Sequence, residues 1–519
     1  MIASAISPTA AAVVALVIFF IVLVARGQPD RREPPHLTPR VPLVGHALGI
    51  LCYGVPYYAK IAHQTSAPIF TLDLLVNRLY VVNSARMVAA VQKSHKIIAF
   101  DPFLTAAANR MAGINGPGLR LLQETQAGGK GVNQEVLHAM IPTMLGSGLD
   151  QMNRTMLRKL GPLLDDMIKD APKTLDLHQW CQRTITTASS EAIWGSKNPF
   201  RSEKVREDFW YFESHLSILL AKIFPSVLAR KAYLARETVV KAMLEFAKSG
   251  GYDDEACSEL AIARRNTQVK AGASDHDIAR LETALNIGVL SNTVPSTFWT
   301  LFDIYSRPQL LQQVRSEIEE NAVVVDPMTN VHSIDLGAIR GSCPIFVSAF
   351  QESLRVHSNG APTRMVYEDV VLDGSYLLKA GSVLQMSAPS INSEQRHWGQ
   401  QAADYNPLHF QKDAADVSAN KPRASSFMSF GASPNICPGR HFAAAEILSV
   451  AAMLLMRVDM IPVKGYWWTP RLNAWAIAAS MTPPIEEYPV KIVPRKEVQG
   501  IEWDFVVSGK KDRFELITG

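Results

Sequence analysis

The sequence predicts a mainly α protein with small β-sheets, preceded by one N-terminal transmembrane helix. Hydrophobic residues make up 47% of the 519 residues and charged residues only 19%, which suits a chain with a large buried core. Apolar residues recur at helical spacing over long stretches. No long low-complexity linker follows residue 45, so one large helical domain fits this length better than several small ones.

The N-terminal segment predicts a membrane anchor. Residues 1–25 carry no charge, and the almost wholly apolar run from Thr9 to Ala25 is, with its small flanking residues, long enough to span a bilayer. Arginines follow this run, whereas a cleaved signal peptide carries its basic residues in front, so the chain after the anchor is expected in the cytosol. We expect a single-pass anchor at residues 1–28 in the endoplasmic reticulum membrane, a stiff Pro-rich linker at 29–45 and one cytosolic domain at 46–519.

Residue patterns predict the first elements of that domain. Strand-forming residues over 69–76 and 79–82 predict a short β-hairpin. Amphipathic spacing predicts helices over 150–169 and 308–320, and a long helix over 281–305. Within the long helix, Pro295 lacks an N–H group, so we expect the carbonyl of Ser291 to lose its helical partner and the helix to kink there.

Charge and cysteine content disfavour two classes of site. The 52 basic and 48 acidic residues leave a net charge of +4, which is too weak to indicate nucleic-acid binding. The five cysteines are scattered and odd in number, so the sequence predicts neither a disulfide framework nor a zinc site.

Cys437 is the most informative residue. It lies in the segment 430–440, FGASPNICPGR, which predicts a tight turn that presents one thiolate at the start of a buried helix. Backbone N–H groups of the turn and the positive helix end are expected to lower its pKa. The alternative is an inert buried cysteine. The spacing of Phe430, Cys437, Gly439, Ala443 and Glu446 resembles the haem-binding segment of the cytochrome P450 superfamily, which implies that Cys437 is the axial ligand of haem iron and that Phe430 and Gly439 belong to the haem site.

Two further segments carry the resemblance. Glu352 and Arg355 match the family's Glu-x-x-Arg pattern, and residues 405–410, YNPLHF, resemble its aromatic-x-Pro-x-Arg-Phe segment with His409 in place of arginine. Glu352 and Arg355 lie on one helical face, so they can form a buried pair that a third basic group completes. We expect this pair to support the haem side of the fold rather than to take part in chemistry.

The long helix departs from the family pattern. Relatives usually carry an acid and a threonine over the distal face of the haem, where this chain has Asn292 and Thr293. The hydroxyl of Thr293 can still pass a proton, whereas Asn292 cannot titrate and is expected to orient water. The run Asn-Thr-x-Pro-x-x-Phe-Trp resembles the sterol 7α-hydroxylase and prostacyclin synthase branch of the superfamily. The alternative is a Pro-kinked core helix with an incidental threonine.

Two residues are expected at the haem propionates. Arg364 matches the position at which relatives of that branch bind a propionate, and an arginine fork suits a carboxylate. Asn435 replaces a basic residue that often fills this role, so it would offer only a neutral hydrogen bond. A surface salt bridge is the alternative for Arg364.

The resemblance implies a haem b monooxygenase that inserts one oxygen atom from O2 into a C–H bond of a lipophilic small molecule. A terpenoid, sterol or polyketide of fungal secondary metabolism is the expected substrate class, with a pocket lined from residues 100–121, 285–293, 359–363 and 478–481. No dinucleotide fingerprint or flavin module is visible, so electrons are expected from a separate NADPH–cytochrome P450 reductase. The alternatives are a haem-thiolate isomerase or dehydratase that needs neither O2 nor reductase, a non-catalytic haem-binding membrane protein, and a haem-free scaffold.

Overall fold

The computed structural model describes residues 30–42, 44–74, 77–124, 131–221, 224–411, 424–473, 475–476 and 478–508. The helices are α1 (Gly45–Tyr53), α2 (Pro56–Ala62), α3 (Ala85–Lys93), α4 (Asp101–Arg110), α5 (Gly116–Gln123), α6 (Val132–Thr143), α7 (Gly146–Lys169), α8 (Leu177–Trp194), α9 (Glu203–Ser214), α10 (Leu216–Ala221), α11 (Pro225–Leu228), α12 (Arg230–Lys248), α13 (Glu259–Lys270), α14 (Asp275–Tyr305), α15 (Pro308–Asn321), α16 (Leu336–Ser342), α17 (Pro344–His357), α18 (Ala388–Asn392), α19 (Gln395–Trp398) and α20 (Arg440–Arg457). The strands are β1 (Ile69–Leu74), β2 (Asn77–Val82), β3 (Ile98–Ala99), β4 (Lys173–Asp176), β5 (Val323–Val325), β6 (His332–Asp335), β7 (Thr363–Val366), β8 (Val370–Leu372), β9 (Tyr376–Leu378), β10 (Val383–Met386), β11 (Gly431–Ala432), β12 (Asn435–Ile436), β13 (Val458–Pro462), β14 (Pro489–Pro494) and β15 (Trp503–Val506).

The predicted fold class, mainly α with small sheets, is confirmed by these elements. Among the described residues, no helix combines the length and the apolar character that a membrane crossing requires. The anchor expected at residues 1–28 lies outside the described residues.

The chain divides into two compact units. The first contains the described part of Met1–Phe100 together with Ala361–Ile391, and the second contains Asp101–Gly360 with the described part of Asn392–Gly519.

The first unit is built on a five-stranded sheet with the order β1-β2-β10-β7-β3. Strands β1 and β2 pair antiparallel with Ile69 opposite Val82, which confirms the predicted hairpin. Strand β10 then adds parallel to β2, and β7 adds antiparallel to β10. One face of the sheet packs on α2, where Tyr58 and Phe70 are buried.

The second unit is helical around α14. Helices α8, α12, α17 and α20 all pack against α14, and every residue from Thr293 to Tyr305 is buried. The predicted helix over 150–169 is confirmed as α7, which begins four residues earlier, and the helix over 308–320 is confirmed as α15. The second unit also contains small sheets with the orders β13-β14-β4, β15-β6-β5 and β11-β12.

Helix α14 begins before the predicted boundary because Ser274 caps it. The Ser274 hydroxyl accepts a hydrogen bond from the Asp277 amide at 3.2 Å, which satisfies one of the unpaired N–H groups of the first turn. The helix then continues without a break through Pro295 to Tyr305. The kink stays a prediction.

Candidate functional site

A short β-hairpin, with two residues in each strand, leads directly into Cys437. Strand β11 pairs antiparallel with β12, and the Cys437 amide donates to the Phe430 carbonyl at 2.9 Å, which closes the loop. Gly431 adopts a φ of +92°, and a side-chain carbon there would come within 3.0 Å of the Asn435 carbonyl oxygen, so only glycine fits without strain. The turn therefore fixes Cys437 directly before α20.

Backbone amides converge on the sulfur of Cys437. The backbone N–H groups of Gly439 and Arg440 lie close enough to the thiol to lower its pKa, as does the positive charge of the Arg440 guanidinium, and the Arg440 N–H also lies 3.5 Å from the Cys437 carbonyl oxygen. Burial nevertheless outweighs these contacts and raises the pKa of Cys437, so the expected lowering is wrong for the protein on its own. A thiolate here requires a bound cation to stabilise it further.

Cys437 differs from the other cysteines in its contacts. The thiols of Cys257 and Cys343 donate to backbone carbonyls at 3.9 Å and 3.7 Å, as inert core cysteines do. Cys181 is buried, whereas Cys52 is exposed. Cys437 instead has two backbone amides beside its thiol that favour the thiolate, and it is the one cysteine of the five that is partly accessible.

Glu352 and Arg355 form a buried ion pair on α17. Arg355 donates from Nε and Nη2 to the two carboxylate oxygens at 2.8 Å and 2.6 Å. His409 Nδ1 lies 3.0 Å from Glu352 Oε1 and supplies the third basic group in place of the family's arginine. Arg355 also donates to the carbonyls of Asn392 and Ala402, each at 2.6 Å, so it ties α17 to the segment that leads toward Cys437.

The electrostatics of this pair are favourable despite its burial. Burial alone would raise the pKa of Glu352, but the hydrogen bonds and charges of Arg355 and His409 outweigh it and hold the pKa below its usual range. Glu352 is therefore ionised at neutral pH.

Thr293 and Asn292 make different contacts on α14. The Thr293 hydroxyl donates to the Val289 carbonyl one turn earlier at 2.9 Å. Asn292 Oδ1 accepts from the amide of Ser480 at 2.7 Å and, more weakly, from that of Met481 at 3.4 Å. Asn292 thus fixes the position of the 480–481 loop, a contact that the expectation of a water-orienting residue did not include.

The middle of α14 has one accessible face. Leu285, Val289 and Asn292 are partly accessible and Gly288 is exposed, although the neighbouring residues of the helix are buried. These positions recur every three or four residues and so share one side of the helix. Apart from Asn292, this face is apolar.

Arg364 and Asn435 are the two residues expected at the propionates. Arg364 lies on β7 of the first unit, where it is buried, donates to the Thr363 carbonyl at 2.9 Å and lies 5.4 Å from the centre of the Phe100 ring. Asn435 lies on β12 of the second unit, two residues before Cys437, and is partly accessible.

Sequence reasoning missed one acidic residue of this region. Glu213, in the last turn of α9, is close enough to the Ser291 hydroxyl of α14 for that hydroxyl to influence its ionisation. Nothing in the local sequence marks Glu213 out from Glu203 and Glu207 of the same helix. Only the tertiary packing distinguishes it.

Comparisons with known proteins identify the family of the chain. A family model described as Cytochrome P450 matches residues 34–484. The cytochrome P450 monooxygenase nodJ of Hypoxylon pulicicidum is 40% identical over 94% of this chain and 95% of its own length. A cytochrome P450 monooxygenase of Gibberella zeae is 26% identical over 93% of this chain and 92% of its own, and the cholesterol 7-alpha-monooxygenase of Cricetulus griseus is 22% identical over 69% and 75%.

Proposed function

The chain belongs to the cytochrome P450 family and is a monooxygenase, and from this premise we propose that Cys437 binds the iron of haem b and that the enzyme oxidises a C–H bond of a lipophilic small molecule with one oxygen atom from O2. The observation that carries the proposal is that two backbone amides favour the thiolate of one partly accessible cysteine, at the end of the β11–β12 hairpin. The motif and the contacts point to the same residue.

The residues around Cys437 fit a haem iron. The two backbone amides and the Arg440 charge beside its sulfur favour the thiolate, which is the form that ligates a metal. When bound, haem supplies the oxygen activation, and a thiolate ligand favours O–O cleavage. The protein supplies the sulfur, its two amide donors and the rigid turn that holds them.

Thr293 holds a proton on the distal helix. Its Oγ1 carries the proton that is now donated to Val289, and rotation about the Cβ–Oγ bond redirects that proton without moving the helix. Asn292 serves as a positioning residue, because its amide oxygen is engaged by the backbone of Ser480. Proton delivery therefore depends on Thr293 and water rather than on an acid at position 292.

The substrate is lipophilic. The accessible face of α14 offers Leu285, Gly288 and Val289 to a ligand, and such apolar linings bind apolar bodies by burying their surface. A terpenoid, sterol or polyketide of secondary metabolism suits this lining. The similarity to a cholesterol 7-alpha-monooxygenase supports a sterol-like ring system among these classes.

The membrane and the redox partner complete the proposal. A single-pass anchor at residues 1–28 and a Pro-rich linker at 29–45 would hold the catalytic domain, residues 46–519, on the cytosolic side of the endoplasmic reticulum. The uncharged run at the N-terminus and the arginines after it support this arrangement. Electrons would come from an NADPH–cytochrome P450 reductase in the same membrane.

The test of the haem ligand is the reduced, carbon monoxide-bound difference spectrum of the detergent-solubilised full chain. The expected result is the red-shifted band of thiolate-ligated haem, abolished by Cys437→Ala and unchanged by Cys52→Ala, since Cys52 is an exposed cysteine. A thiolate band that survives in Cys437→Ala would refute the assignment.

A second experiment tests the reaction class. The same preparation is incubated with a lipid extract and with NADPH and reductase present or omitted, and products are followed by mass spectrometry. An oxygenated product that requires both additions, and that carries label from 18O2, supports oxygen insertion. Product formation without either addition would indicate an isomerase or dehydratase instead.

A further inference from the structure

Ser291 is the exception among the hydroxyl residues of α14. Thr283, Thr293, Ser296, Thr297 and Thr300 each donate to the carbonyl four residues earlier, at 2.7 to 2.9 Å. This contact is the usual way in which a helix satisfies a buried hydroxyl. The Ser291 hydroxyl is equally buried, yet within the described residues it makes no such contact with the carbonyl of Ile287.

Glu213 is the group that faces this hydroxyl. It lies in the last turn of α9, where the negative end of the helix dipole disfavours a carboxylate. Burial raises the pKa of Glu213 to about 6, and the Ser291 hydroxyl lowers it only in part. Within the described ranges, no lysine, arginine or histidine forms an ion pair with Glu213, and no charged side chain shifts its pKa.

The basic groups near the end of α9 are engaged elsewhere. The Lys231 ammonium of α12 lies 4.1 Å from the centre of the Tyr211 ring, and the His215 ring stacks on the same tyrosine with ring centroids 4.2 Å apart. His215 Nδ1 also contacts the Tyr211 carbonyl at 2.8 Å. Glu213 is thus a carboxyl group in an unfavourable position that no basic side chain among the described residues neutralises.

Ser291 borders the accessible face of α14. It follows Ala284 by seven residues and Gly288 by three, a spacing that places the three residues on neighbouring turns of one side. Ala284 is partly accessible and Gly288 is exposed. Glu213 is itself partly accessible, so its carboxyl group lies at the margin of this apolar face.

We propose that Glu213 and Ser291 together bind a hydrogen-bond donor, a hydroxyl or an N–H group, on an otherwise lipophilic substrate. The assignment rests on the proposed function, which places the substrate against the accessible face of α14. The ligand donates one hydrogen bond to the Glu213 carboxylate. The Ser291 hydroxyl donates to the same carboxylate, which has two oxygens and so can accept both hydrogen bonds. An apolar body with one polar group would thereby be held in a fixed orientation.

A proton relay from Glu213 to Thr293 is the competing explanation, and helix geometry disfavours it. Ser291 and Thr293 are two residues apart, so their side chains point to different sides of α14. The Thr293 hydroxyl is moreover engaged with Val289. Glu213 therefore faces the ligand side of the helix but not the hydroxyl of Thr293.

The test compares three ligands that share one cage and differ in one group: 1-adamantanol, 1-adamantylamine and 1-methyladamantane. Binding to the solubilised full chain is measured by equilibrium dialysis at about pH 7.5 and about pH 5, on either side of the Glu213 pKa. At the higher pH, we expect the wild type to bind 1-adamantanol or 1-adamantylamine with a dissociation constant about tenfold lower than that of 1-methyladamantane. One hydrogen bond to a charged acceptor accounts for a difference of about this size. At the lower pH, protonation of Glu213 should reduce that preference.

Variants separate this role from a structural one. Glu213→Gln should remove the pH dependence and most of the preference for a donor ligand over 1-methyladamantane. Ser291→Ala should lower that preference several-fold. The control Glu207→Gln, at an exposed position on the same helix, should change neither the preference nor its pH dependence. Equal binding of all three ligands by the wild type, or an unchanged preference in Glu213→Gln, would overturn the proposal. Dialysis needs no turnover, and the carbon monoxide spectrum of the same sample shows separately whether haem is thiolate-bound, so the two proposals fail independently.

Discussion

Replacing Arg355 should destabilise the second unit more than most single substitutions do. In Arg355→Leu, Glu352 would keep its buried charge without the cation, and breaking a buried pair in this way costs about 3–5 kcal/mol. The carbonyls of Asn392, Ala402 and Asp404 would also lose a donor that now lies 2.6 to 2.9 Å away, at about 1–3 kcal/mol for each group left unsatisfied. The total, about 6 kcal/mol or more, is comparable to the whole unfolding free energy of an ordinary domain.

Arg355→Lys makes the effect measurable, because it keeps the charge but loses the planar fork that reaches several acceptors at once. We expect its unfolding free energy to fall by about 2–4 kcal/mol, with Arg355→Leu lower still or absent from the folded fraction. Urea unfolding of the full chain, followed by tryptophan fluorescence, gives the values. The matched control is Arg158→Leu at an exposed position of α7, for which the change should stay within about 0.5 kcal/mol. A loss below about 1 kcal/mol in Arg355→Leu would refute the argument, since it would mean that the pair is not desolvated.

Three further outcomes follow from the second unit. Thr293→Ala should retain the thiolate spectrum and divert reducing equivalents to peroxide, whereas Ser296→Ala, which removes an equivalent back-bonded hydroxyl, should leave that coupling unchanged. Asn292→Ala should speed hydrogen exchange at the Ser480 amide by about tenfold, since the amide loses its acceptor, and Asn292→Asp should not. Burial raises the pKa of Glu446 from 4.5 to about 8, so the folded state holds this proton more tightly than the unfolded state does. The free energy of unfolding should therefore fall as pH rises from 4.5 to about 8. Glu446→Gln should flatten this pH dependence, which urea unfolding at several pH values would show.

The parts of the fold that the sequence predicted are those with strong local patterns. The hairpin at Ile69–Val82 and helix α7 have a clear period of apolar residues, and periodicity of this kind is set by each element alone. The predicted start of α14 lies six residues too late, because its first turn is polar and the Ser274 cap is a hydrogen bond that apolar periodicity does not reveal.

The candidate site likewise contains residues that local sequence patterns predict and contacts that they do not. Cys437 and the Glu352–Arg355 pair lie in short segments whose spacing carries information, so they were identified from the residues. The contacts of Asn292 with Ser480 and of Glu213 with Ser291 join residues far apart in sequence. A single sequence records no such proximity, and the burial that raises the pKa of Cys437 is likewise a property of the assembled unit.

The strand order of the first unit has a consequence for synthesis on the ribosome. The parallel partner of β2 is β10, which lies about 300 residues later in the chain. At roughly 5–20 residues per second, the hairpin of β1 and β2 would wait roughly 15–60 s before β10 could cover its open edge. An open edge strand is a template for pairing with other chains. We therefore expect the nascent chain to be most prone to aggregation in this interval, and chaperones that shield the edge of β2 to matter more for the yield of the protein than those that act on the finished domain.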